Sequence, residues 1–421
     1  MRLPVTLFLS LCERIPEMKI EEAFPRPNAR SAILTKTRNL KMSRSAHAYV
    51  RGNTVKFYEW LEGHKSGLLP DGPPVWICGD CHVGNLGPVA NSAGQIEIQI
   101  RDLDQTVIGN PAHDLVRLGL SLASAARGSD LPGVTTAKML EQMMEGYEKS
   151  FEPDFNEEID IPRPESIRLV SKKAAAASWK TLAEDRIRDT RPTIPLGRRF
   201  WPISKDETRE IEKLFENDEM RKLATMLRSR KDDARVKLLD AAYWMKGCSS
   251  LGRLRYAILL RVGSKKRKDS DYCIMDIKEA AQAAAPRAVS VKMPSDQAER
   301  VVEGARHLSP YLGKRMRAVR LMDKAVFVRE LLPQDLKIEI EQLTRDEAMK
   351  VAHFLSGVLG KAHSRQMDSK TRKQWQKELQ RNRSTSLDAP TWLWTSIVEL
   401  LANHERAYLE HCRKYALEVD G

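Results

Sequence analysis

Long hydrophobic segments are missing from this sequence of 421 residues. No stretch approaches the roughly 18–20 consecutive apolar residues that a transmembrane helix needs. The longest early apolar run, residues 3–12, has one arginine before it and no small-residue cleavage site after it, so it does not resemble a signal peptide. These absences predict a soluble, cytoplasmic protein without a membrane partner.

Cysteine is scarce as well. Six cysteines in 421 residues are too few for a disulfide framework, and they fit the reducing cytoplasm better than an oxidising compartment. The hydrophobic fraction of 42% is too high for a disordered chain. A chain of this length can bury a substantial core and is expected to form two or three domains.

Positive charge is in excess, because 70 Lys and Arg oppose 57 Asp and Glu, which gives a net charge of +13. Basic runs at residues 188–199, 226–236 and 264–268 lack interleaved aromatic residues and any recognisable nucleic-acid-binding module. Solvated surfaces explain these runs, and we predict no nucleic-acid partner. A phosphorylated ligand is the remaining partner that the excess charge favours.

The periodicity of the sequence predicts strands and helices in separate regions. Residues 95–101 alternate strictly between polar and apolar, as a half-buried strand does, and residues 75–78 are its expected partner strand. Residues 114–127 have helical apolar spacing. Residues 253–262 and 272–280 alternate again, as two strands joined by a charged turn. This segregation predicts the α+β class.

Other regions have weaker patterns. Residues 21–45 contain proline and arginine with little periodicity, and we expect an extended arm there. Residues 166–189 and 206–246 are predicted to form basic helices. From residue 344 to the end the apolar spacing is helical throughout.

A short glycine-rich segment carries the clearest chemical signal. It packs Asp80, His82 and Asn85 between glycines, which is typical of a loop. Asp102 follows Asn85 by seventeen residues, at the end of the alternating strand, and Asp104 lies two residues further.

A strand, a turn and a second strand would bring the two ends of this region together. We therefore expect Asp80, Asn85, Asp102 and Asp104 to converge on one hard cation. Carboxylate and amide oxygens of this kind suit Mg²⁺ that bridges to a phosphate.

The segment at residues 79–85, Gly-Asp-Cys-His-Val-Gly-Asn, resembles the catalytic loop of aminoglycoside-phosphotransferase-like kinases, which reads roughly H-G-D-x-H-x-x-N. In those enzymes a metal-binding aspartate follows on a strand, and then a G-D-P-x-x-D-L segment. Here Asp102 is followed seven residues later by Gly-Asn-Pro-Ala-His-Asp-Leu at residues 109–115. Cys78 stands where the usual first histidine would be.

The nucleotide-binding parts of such kinases have counterparts further along the chain. The loop from Gly247 through Ser249 to Gly252 resembles a loop that covers phosphates. Lys278 lies on an alternating strand similar to the V-A-I-K strand of kinases. Glu303, with Glu299 as its competitor, lies on the following helix where the ion-pair partner of that lysine would be.

Residues 326–333, which include Glu330, look like the last strand of a nucleotide lobe running into a hinge. The order of the parts is rotated, which implies a circularly permuted, protein-kinase-like two-lobed fold. Residues 237–343 would form the small nucleotide-binding lobe, with residues 1–236 and 344–421 completing the large one. The whole arrangement, over roughly residues 25–415, resembles the bacterial domain-of-unknown-function 2252 family (DUF2252).

The resemblance implies an ATP- and Mg²⁺-dependent phosphotransferase that acts on the hydroxyl of an unidentified small molecule or protein. Asp80 would orient or deprotonate that hydroxyl, and His82 is the second residue that we predict to be catalytic. Mg²⁺ would be held by Asn85, Asp102 and Asp104. ATP would be held by Gly247, Ser249, Gly252, Lys278, Glu303 and Glu330. Asp114 is expected to anchor the catalytic loop.

Other functions are compatible with the same residues. The chain could be a nucleotide-binding regulator of the pseudokinase type, or a nucleotidyl transferase that moves AMP with ATP bound in the opposite direction. Cys78, Cys81 and His82 also satisfy the C-x-x-C-H spacing of a haem attachment site or part of a zinc site. The oligomeric state and the acceptor stay open at this point.

Overall fold

The computed structural model describes residues 24–64, 69–129, 131–176, 193–248, 250–263, 270–333, 344–381 and 389–415. It is 52% helical and 17% strand, and the mixture confirms the predicted α+β class. No described helix has the length and apolar character needed to cross a membrane.

Helices make up both ends of the described chain. In chain order they are α1 (Pro27–Met42), α2 (Ala46–Gly52), α3 (Thr54–Glu62), α4 (Ala112–Gly128), α5 (Gly133–Lys149), α6 (Glu157–Asp160), α7 (Glu165–Ala176), α8 (Lys205–Glu216), α9 (Asp218–Thr225), α10 (Gln297–Leu308), α11 (Pro310–Lys314), α12 (Arg345–Ser364), α13 (Ser369–Gln380) and α14 (Thr391–Tyr415).

The strands form one large sheet and two small ones. They are β1 (Val75–Ile77), β2 (Leu86–Ala90), β3 (Ile96–Ile100), β4 (Val107–Gly109), β5 (Phe200–Trp201), β6 (Val236–Trp244), β7 (Arg255–Gly263), β8 (Ser270–Glu279), β9 (Met316–Leu321) and β10 (Lys324–Leu331). The large sheet is antiparallel in the order β5-β6-β7-β8-β10-β9, and the small sheets are the pairs β1-β4 and β2-β3.

The strand predicted over residues 95–101 is confirmed as β3, but its predicted partner is wrong. Residues 75–77 pair with β4, whereas β3 pairs with β2, which directly precedes it. A tight turn at residues 91–94 joins β2 to β3, and the side chain of Asn91 accepts hydrogen bonds from the backbone of Ala93 and Gln95. Because the nearest strand in sequence closes a hairpin with the shortest loop, β2 takes the place expected for residues 75–78.

Two further predictions of secondary structure also differ from the structure. Residues 27–42 form α1 instead of an extended arm. Pro27 is compatible with the first helical turn, and Arg30 in this helix forms a buried ion pair with Glu207. The helix predicted over residues 206–246 ends near Thr225, and residues 236–244 form β6, because their backbone pairs with β5 and β7.

Helices from both ends of the chain pack directly against each other. At Gly146 in α5 a side chain would overlap with the carbonyl oxygen of His353 in α12. At Gly360 in α12 a side chain would come within 2.7 Å of the carbonyl oxygen of Tyr147. These glycines let the backbones of α5 and α12 approach closely, so the C-terminal helices join the body formed by α4 and α5. The predicted lobe boundaries at residues 237 and 343 stay predictions.

Candidate functional site

The glycine-rich loop at residues 78–85 follows β1 and depends on one glycine conformation. Gly79 has a φ of +74°, which favours glycine, and a side chain there would overlap with the carbonyl oxygen of Gln105. The hydroxyl of Tyr58 donates a hydrogen bond to the carbonyl oxygen of Gly79 at 2.6 Å. The loop is therefore held tightly on both sides.

Asp114 anchors this loop from the start of α4, as predicted from the sequence. Its carboxylate accepts hydrogen bonds from the backbone amides of Cys78 at 2.6 Å and Gly79 at 2.9 Å, and it is fully buried. His363 of α12 contacts the same carboxylate at 3.2 Å. The other ring nitrogen of His363 contacts the hydroxyl of Tyr147 at 2.9 Å. A chain of hydrogen bonds thus connects the C-terminal helices to the loop.

Asp80 lies at the centre of the loop beside a buried arginine. Its Oδ1 accepts a hydrogen bond from Nε of Arg117 at 2.9 Å, and Arg117 also donates to the carbonyl oxygen of Val50 at 2.6 Å. Among the described residues none donates to Oδ2 of Asp80, and the side chain is 12% exposed. Arg117 therefore fixes the orientation of the carboxylate and leaves one oxygen available to a ligand.

His82 is buried in a neutral form. Burial, which outweighs the nearby charge of Asp80, lowers its pKa to about 3. Its Nδ1 is buried without a hydrogen-bond partner in the described structure. A neutral imidazole of this kind does not act as an acid at physiological pH.

Asn85 connects the loop to the acidic residues after β3. Its side-chain amide donates to the backbone carbonyl oxygen of Asp80 at 2.9 Å, and its backbone carbonyl oxygen accepts from the backbone amide of Arg101 at 2.7 Å. The thiol of Cys78 lies 3.6 Å from the carbonyl oxygen of Asp102. The β2–β3 hairpin thus brings the loop and Asp102 to the same place.

Lys278 on β8 meets these acidic residues from the large sheet. Its Nζ lies 3.3 Å from Oδ1 of Asp102 and forms a second ion pair with Asp104. The lysine side chain is only 5% exposed, whereas that of Asp102 is 51% exposed. Lysine and carboxylates therefore form one cluster, with Asp102 on the solvent side.

The two carboxylates have opposite pKa shifts. Desolvation by neighbouring protein atoms would raise the pKa of Asp102, but the charge of Lys278, a hydrogen bond from Asp104 and the charge of Arg329 outweigh it and lower that pKa. Burial, and then the negative charge of Asp102, raises the pKa of Asp104 to about 6. A cation that binds both carboxylates would relieve this repulsion.

The site suits Mg²⁺ that arrives with phosphates better than a metal cage made of protein alone. Oδ1 of Asp104 is buried without a hydrogen-bond partner in the described structure, and Asp102, which contacts the same lysine, supplies further oxygens of the kind Mg²⁺ prefers. The described residues contain no group of three or more His, Cys, Asp or Glu side chains placed to hold a metal. One or two carboxylates suffice where phosphate oxygens and water complete the octahedron.

More positive charge lines the same face of the sheet. Arg255 on β7 donates to both carboxylate oxygens of Asp276 at 2.9 and 2.6 Å. Arg329 on β10 lies 3.4 Å from the same carboxylate. Nζ of Lys246 lies 4.2 Å from the ring centroid of Trp244. The sequence reasoning missed these residues, although Asp276 lies two positions before Lys278 and so faces the same side of its strand.

An apolar cleft lies on this sheet face. It is narrow, with a cavity volume of about 20 Å³. Its walls come from one face of the large sheet and the segment before β5: Thr193, Ile194, Phe200, Trp244, Ala257, Leu259 and Ile274. A second cleft, with a cavity volume of about 10 Å³, is lined in part by Asp102, Lys278 and Arg329.

The loop predicted to cover phosphates packs against α1. Gly247 and Gly252 both have positive φ angles, +94° and +96°, so glycine is favoured at each. Nζ of Lys41 donates to the carbonyl oxygen of Gly247 at 3.4 Å. Ser249, the third residue predicted for this loop, lies outside the described residues.

Two predicted nucleotide ligands lie away from Lys278. Glu303 forms an ion pair with Arg306 and lies 3.7 Å from Nδ1 of His307, both on its own helix, and Lys278 pairs with Asp102 and Asp104 instead. Glu330 forms a buried, two-pronged ion pair with Arg230.

The alternation of β10 explains the position of Glu330. Val326 and Val328 are buried in the core on one side of the sheet, and Glu330 shares that side because side chains two apart point the same way. Phe327 and Arg329 point to the other side, where Phe327 pairs with Lys278 in register. Glu330 therefore contributes a buried ion pair to the core and not a contact to the cluster around Lys278.

The thiols of the C-x-x-C-H segment are buried. Cys78 and Cys81 are each at most 1% exposed. A hydrogen bond that the Cys78 thiol donates to Cys81, followed by burial, raises the pKa of Cys78 well above its usual value, so this thiol stays protonated. A protonated thiol is a poor metal ligand.

Comparison with models of known families assigns the chain to one family. The family model described as "Uncharacterized protein conserved in bacteria (DUF2252)" matches residues 30–414, which is most of the sequence. The chain belongs to this family, as the resemblance noted above implies. No curated protein and no solved structure matches it.

We expect Lys246 to react faster with an amine-directed reagent such as trinitrobenzenesulfonate than an ordinary surface lysine. Burial, and then the charge of Arg255, lowers its pKa to about 7, so much of the amine is neutral at pH 7.5. Modification sites and rates would be read by mass spectrometry, with exposed Lys237 as the reference. Equal rates for the two lysines would contradict the prediction.

Proposed function

We propose that this protein is an ATP- and Mg²⁺-dependent phosphotransferase with a circularly permuted, protein-kinase-like two-lobed fold. One observation carries the proposal. Lys278, from the large antiparallel sheet, forms ion pairs with Asp102 and Asp104 beside the loop that contains Asp80. These elements are far apart in sequence, and their order is the reverse of that in ordinary kinases.

The ion pairs of Lys278 with Asp102 and Asp104 fit a site that binds an anion and a cation together. Lys278 contacts both Asp102 and Asp104 and offsets one of their two negative charges, which leaves a cation-binding character at the cluster. A polyphosphate would give the lysine a new partner, and its accompanying cation would give the carboxylates one. When bound, Mg²⁺ would neutralise charge that develops on the phosphate oxygens.

The sheet face offers separate places for the two halves of a nucleotide. The aromatic and aliphatic side chains that line the apolar cleft beside Trp244 match the chemistry of a planar base, and these side chains would move apart to admit it. Arg255, Arg329 and Lys246 lie on the same sheet face and suit the phosphates. The base would then enter the cleft while the phosphates extend toward Lys278.

Asp80 is the residue best placed to act on the acceptor. Arg117 holds one of its carboxylate oxygens, and the other has no donor among the described residues. That oxygen can accept a hydrogen bond from a hydroxyl and orient it for attack. His82 is neutral, so we assign it a supporting position next to Asp80 and no proton transfer.

We expect Lys278→Met to weaken binding of ATP with Mg²⁺ by about tenfold to a hundredfold, the value of one charge-assisted hydrogen bond to phosphate. The measurement is an isothermal titration of each protein with ATP in the presence of Mg²⁺. Lys237→Met is the matched control, since Lys237 is an exposed lysine on the same sheet. Thermal unfolding of each variant shows whether the fold is kept.

Two outcomes would contradict the proposal. One is the absence of ATP binding to the wild-type protein at millimolar concentration. The other is equal affinity in the wild type and in a folded Lys278→Met variant.

A further inference from the structure

A second group of positive charges lies on the other side of the predicted phosphate-covering loop. It consists of Arg38, Lys41, Arg44 and Arg51, from α1, the turn after it and α2, and we call it the α1–α2 basic cluster. Lys41 contacts the carbonyl oxygen of Gly247 at 3.4 Å.

The members of the α1–α2 basic cluster converge on one small region. Burial raises the pKa of the Cys248 thiol, and the positive charges of all four members act against that shift. A side chain at Gly52, next to Arg51, would come within 3.1 Å of Sγ of Cys248. With the contact of Lys41 at Gly247, these observations place the cluster around the turn at residues 247–248.

These charges lack acidic partners. Within the described part of the chain none of the four cluster residues forms an ion pair, and Nε of Arg51 is buried without a hydrogen-bond partner. Other basic residues nearby are paired: Arg30 of the same helix binds Glu207, and Arg117 binds Asp80. Concentrated, unneutralised positive charge is unfavourable unless an anion joins it.

The cluster extends to the catalytic loop. A side chain at Gly84 would come within 2.9 Å of Nη2 of Arg51 and 3.2 Å of Cε1 of His82. His82 is 95% buried, and its Nδ1 has no hydrogen-bond partner among the described residues. An unpartnered imidazole nitrogen and an unpartnered guanidinium nitrogen thus occur on side chains that lie against the same glycine, which directly precedes Asn85 and is four residues from Asp80.

We propose that the α1–α2 basic cluster binds the anionic group of the acceptor, and that the acceptor is a small molecule that carries a phosphate as well as the hydroxyl that is phosphorylated. This inference rests on the proposed phosphotransferase function. A phosphate has up to two negative charges and several oxygens, which match three guanidinium groups and one ammonium group. The nucleotide has its own cations on the sheet face, so this cluster is available to a second anion.

The reaction at this site balances without a further reactant. The acceptor oxygen bonds to the γ-phosphorus while the bond from that phosphorus to the bridging oxygen breaks. ADP leaves with the electron pair of the broken bond, and the hydroxyl proton passes to the carboxylate of Asp80. The α1–α2 basic cluster would hold the acceptor so that its hydroxyl faces Asp80.

Inorganic phosphate is the probe for this site. It would be titrated calorimetrically into the whole protein, with and without saturating Mg²⁺ and a non-hydrolysable ATP analogue. We expect Arg44→Gln to weaken phosphate binding by about tenfold, the value of one charge-assisted hydrogen bond, and to leave ATP affinity unchanged. Arg44 is exposed, so this variant should fold, and exposed Arg163→Gln is the matched control.

The two proposals fail in different ways. Unchanged phosphate affinity in both Arg44→Gln and Arg38→Gln would overturn the acceptor site while leaving the nucleotide site intact. Loss of phosphate binding in Lys278→Met but not in Arg44→Gln would show that phosphate binds only at the nucleotide site. That result would also overturn the proposed acceptor site. Absence of ATP binding, with phosphate binding that Arg44→Gln weakens, would instead remove the proposed phosphotransferase function.

Discussion

Asp80→Asn is expected to lower the rate of γ-phosphoryl transfer by about 10³-fold, the middle of the range for removal of a general base. The asparagine oxygen can still accept the hydrogen bond from Nε of Arg117, so the loop should keep its shape. The side chain loses only its negative charge and its ability to take a proton. ATP affinity should therefore stay close to that of the wild type, because the phosphates contact Lys278 in the proposed complex.

The measurement is a single-turnover assay with γ-labelled ATP, together with calorimetric ATP titration of the same variant. Asp154→Asn serves as the control, since Asp154 is exposed on the surface. A folded Asp80→Asn protein that transfers label at the wild-type rate would remove Asp80 from the mechanism. Joint loss of ATP binding and transfer would mean that Asp80 acts through structure.

Asp114→Ala is expected to lower the free energy of unfolding by about 3–5 kcal/mol, as loss of one partner in a buried charged network does. Its carboxylate is fully buried and accepts hydrogen bonds from the amides of Cys78 and Gly79. Removing it leaves both amides unsatisfied and leaves His363 without its carboxylate partner. Because the loop carries Asp80, transfer activity should fall even in molecules that remain folded.

Urea unfolding of Asp114→Ala and Asp114→Asn tests this account. Asparagine keeps one acceptor oxygen and nearly the same volume, so its loss of stability should be smaller than that of alanine. Equal, small effects of both substitutions, below about 1 kcal/mol, would show that the carboxylate does not hold the loop.

The sequence was sufficient to predict the local features of the site. The glycines around Asp80 indicated a loop, and the strict alternation before Asp102 indicated β3, which the structure contains. The anchoring role of Asp114 followed from its place in the motif and agrees with its two hydrogen bonds to the loop. Local patterns carry this information because turn chemistry and strand alternation depend on neighbouring residues.

Contacts between distant elements could not be read from the sequence in the same way. Lys278 was expected to pair with Glu303, one helix away, but its partners come from residues 102–104. An ion pair depends on where the two backbones meet in space, and Glu303 satisfies its charge within its own helix. The alternation of Glu330 with Val326 and Val328 places it on the core side of β10, away from Lys278.

The prediction of secondary structure failed where tertiary contacts outweighed local preference. Residues 236–244 contain leucines and alanines that suit a helix, yet they form β6 between two other strands. Residues 27–42 show weak periodicity, but α1 gains stability because it buries Leu34 and pairs Arg30 with Glu207. Glu207 and the core residues around Leu34, such as Ile211, are far from α1 in sequence, so the local pattern could not indicate these contacts.

The most direct test of the central claim is to incubate the protein with Mg²⁺, a mixture of cell metabolites that includes small phosphorylated molecules, and ATP labelled separately at its α- and γ-phosphates. The account predicts that γ-label moves to a small phosphorylated acceptor, that α-label does not move, and that Asp80→Asn lowers the rate of transfer by about 10³-fold. Transfer of α-label would instead identify a nucleotidyl transferase. ATP binding with no transfer of either label would identify a nucleotide-binding regulator, and either result would contradict the proposed phosphotransferase.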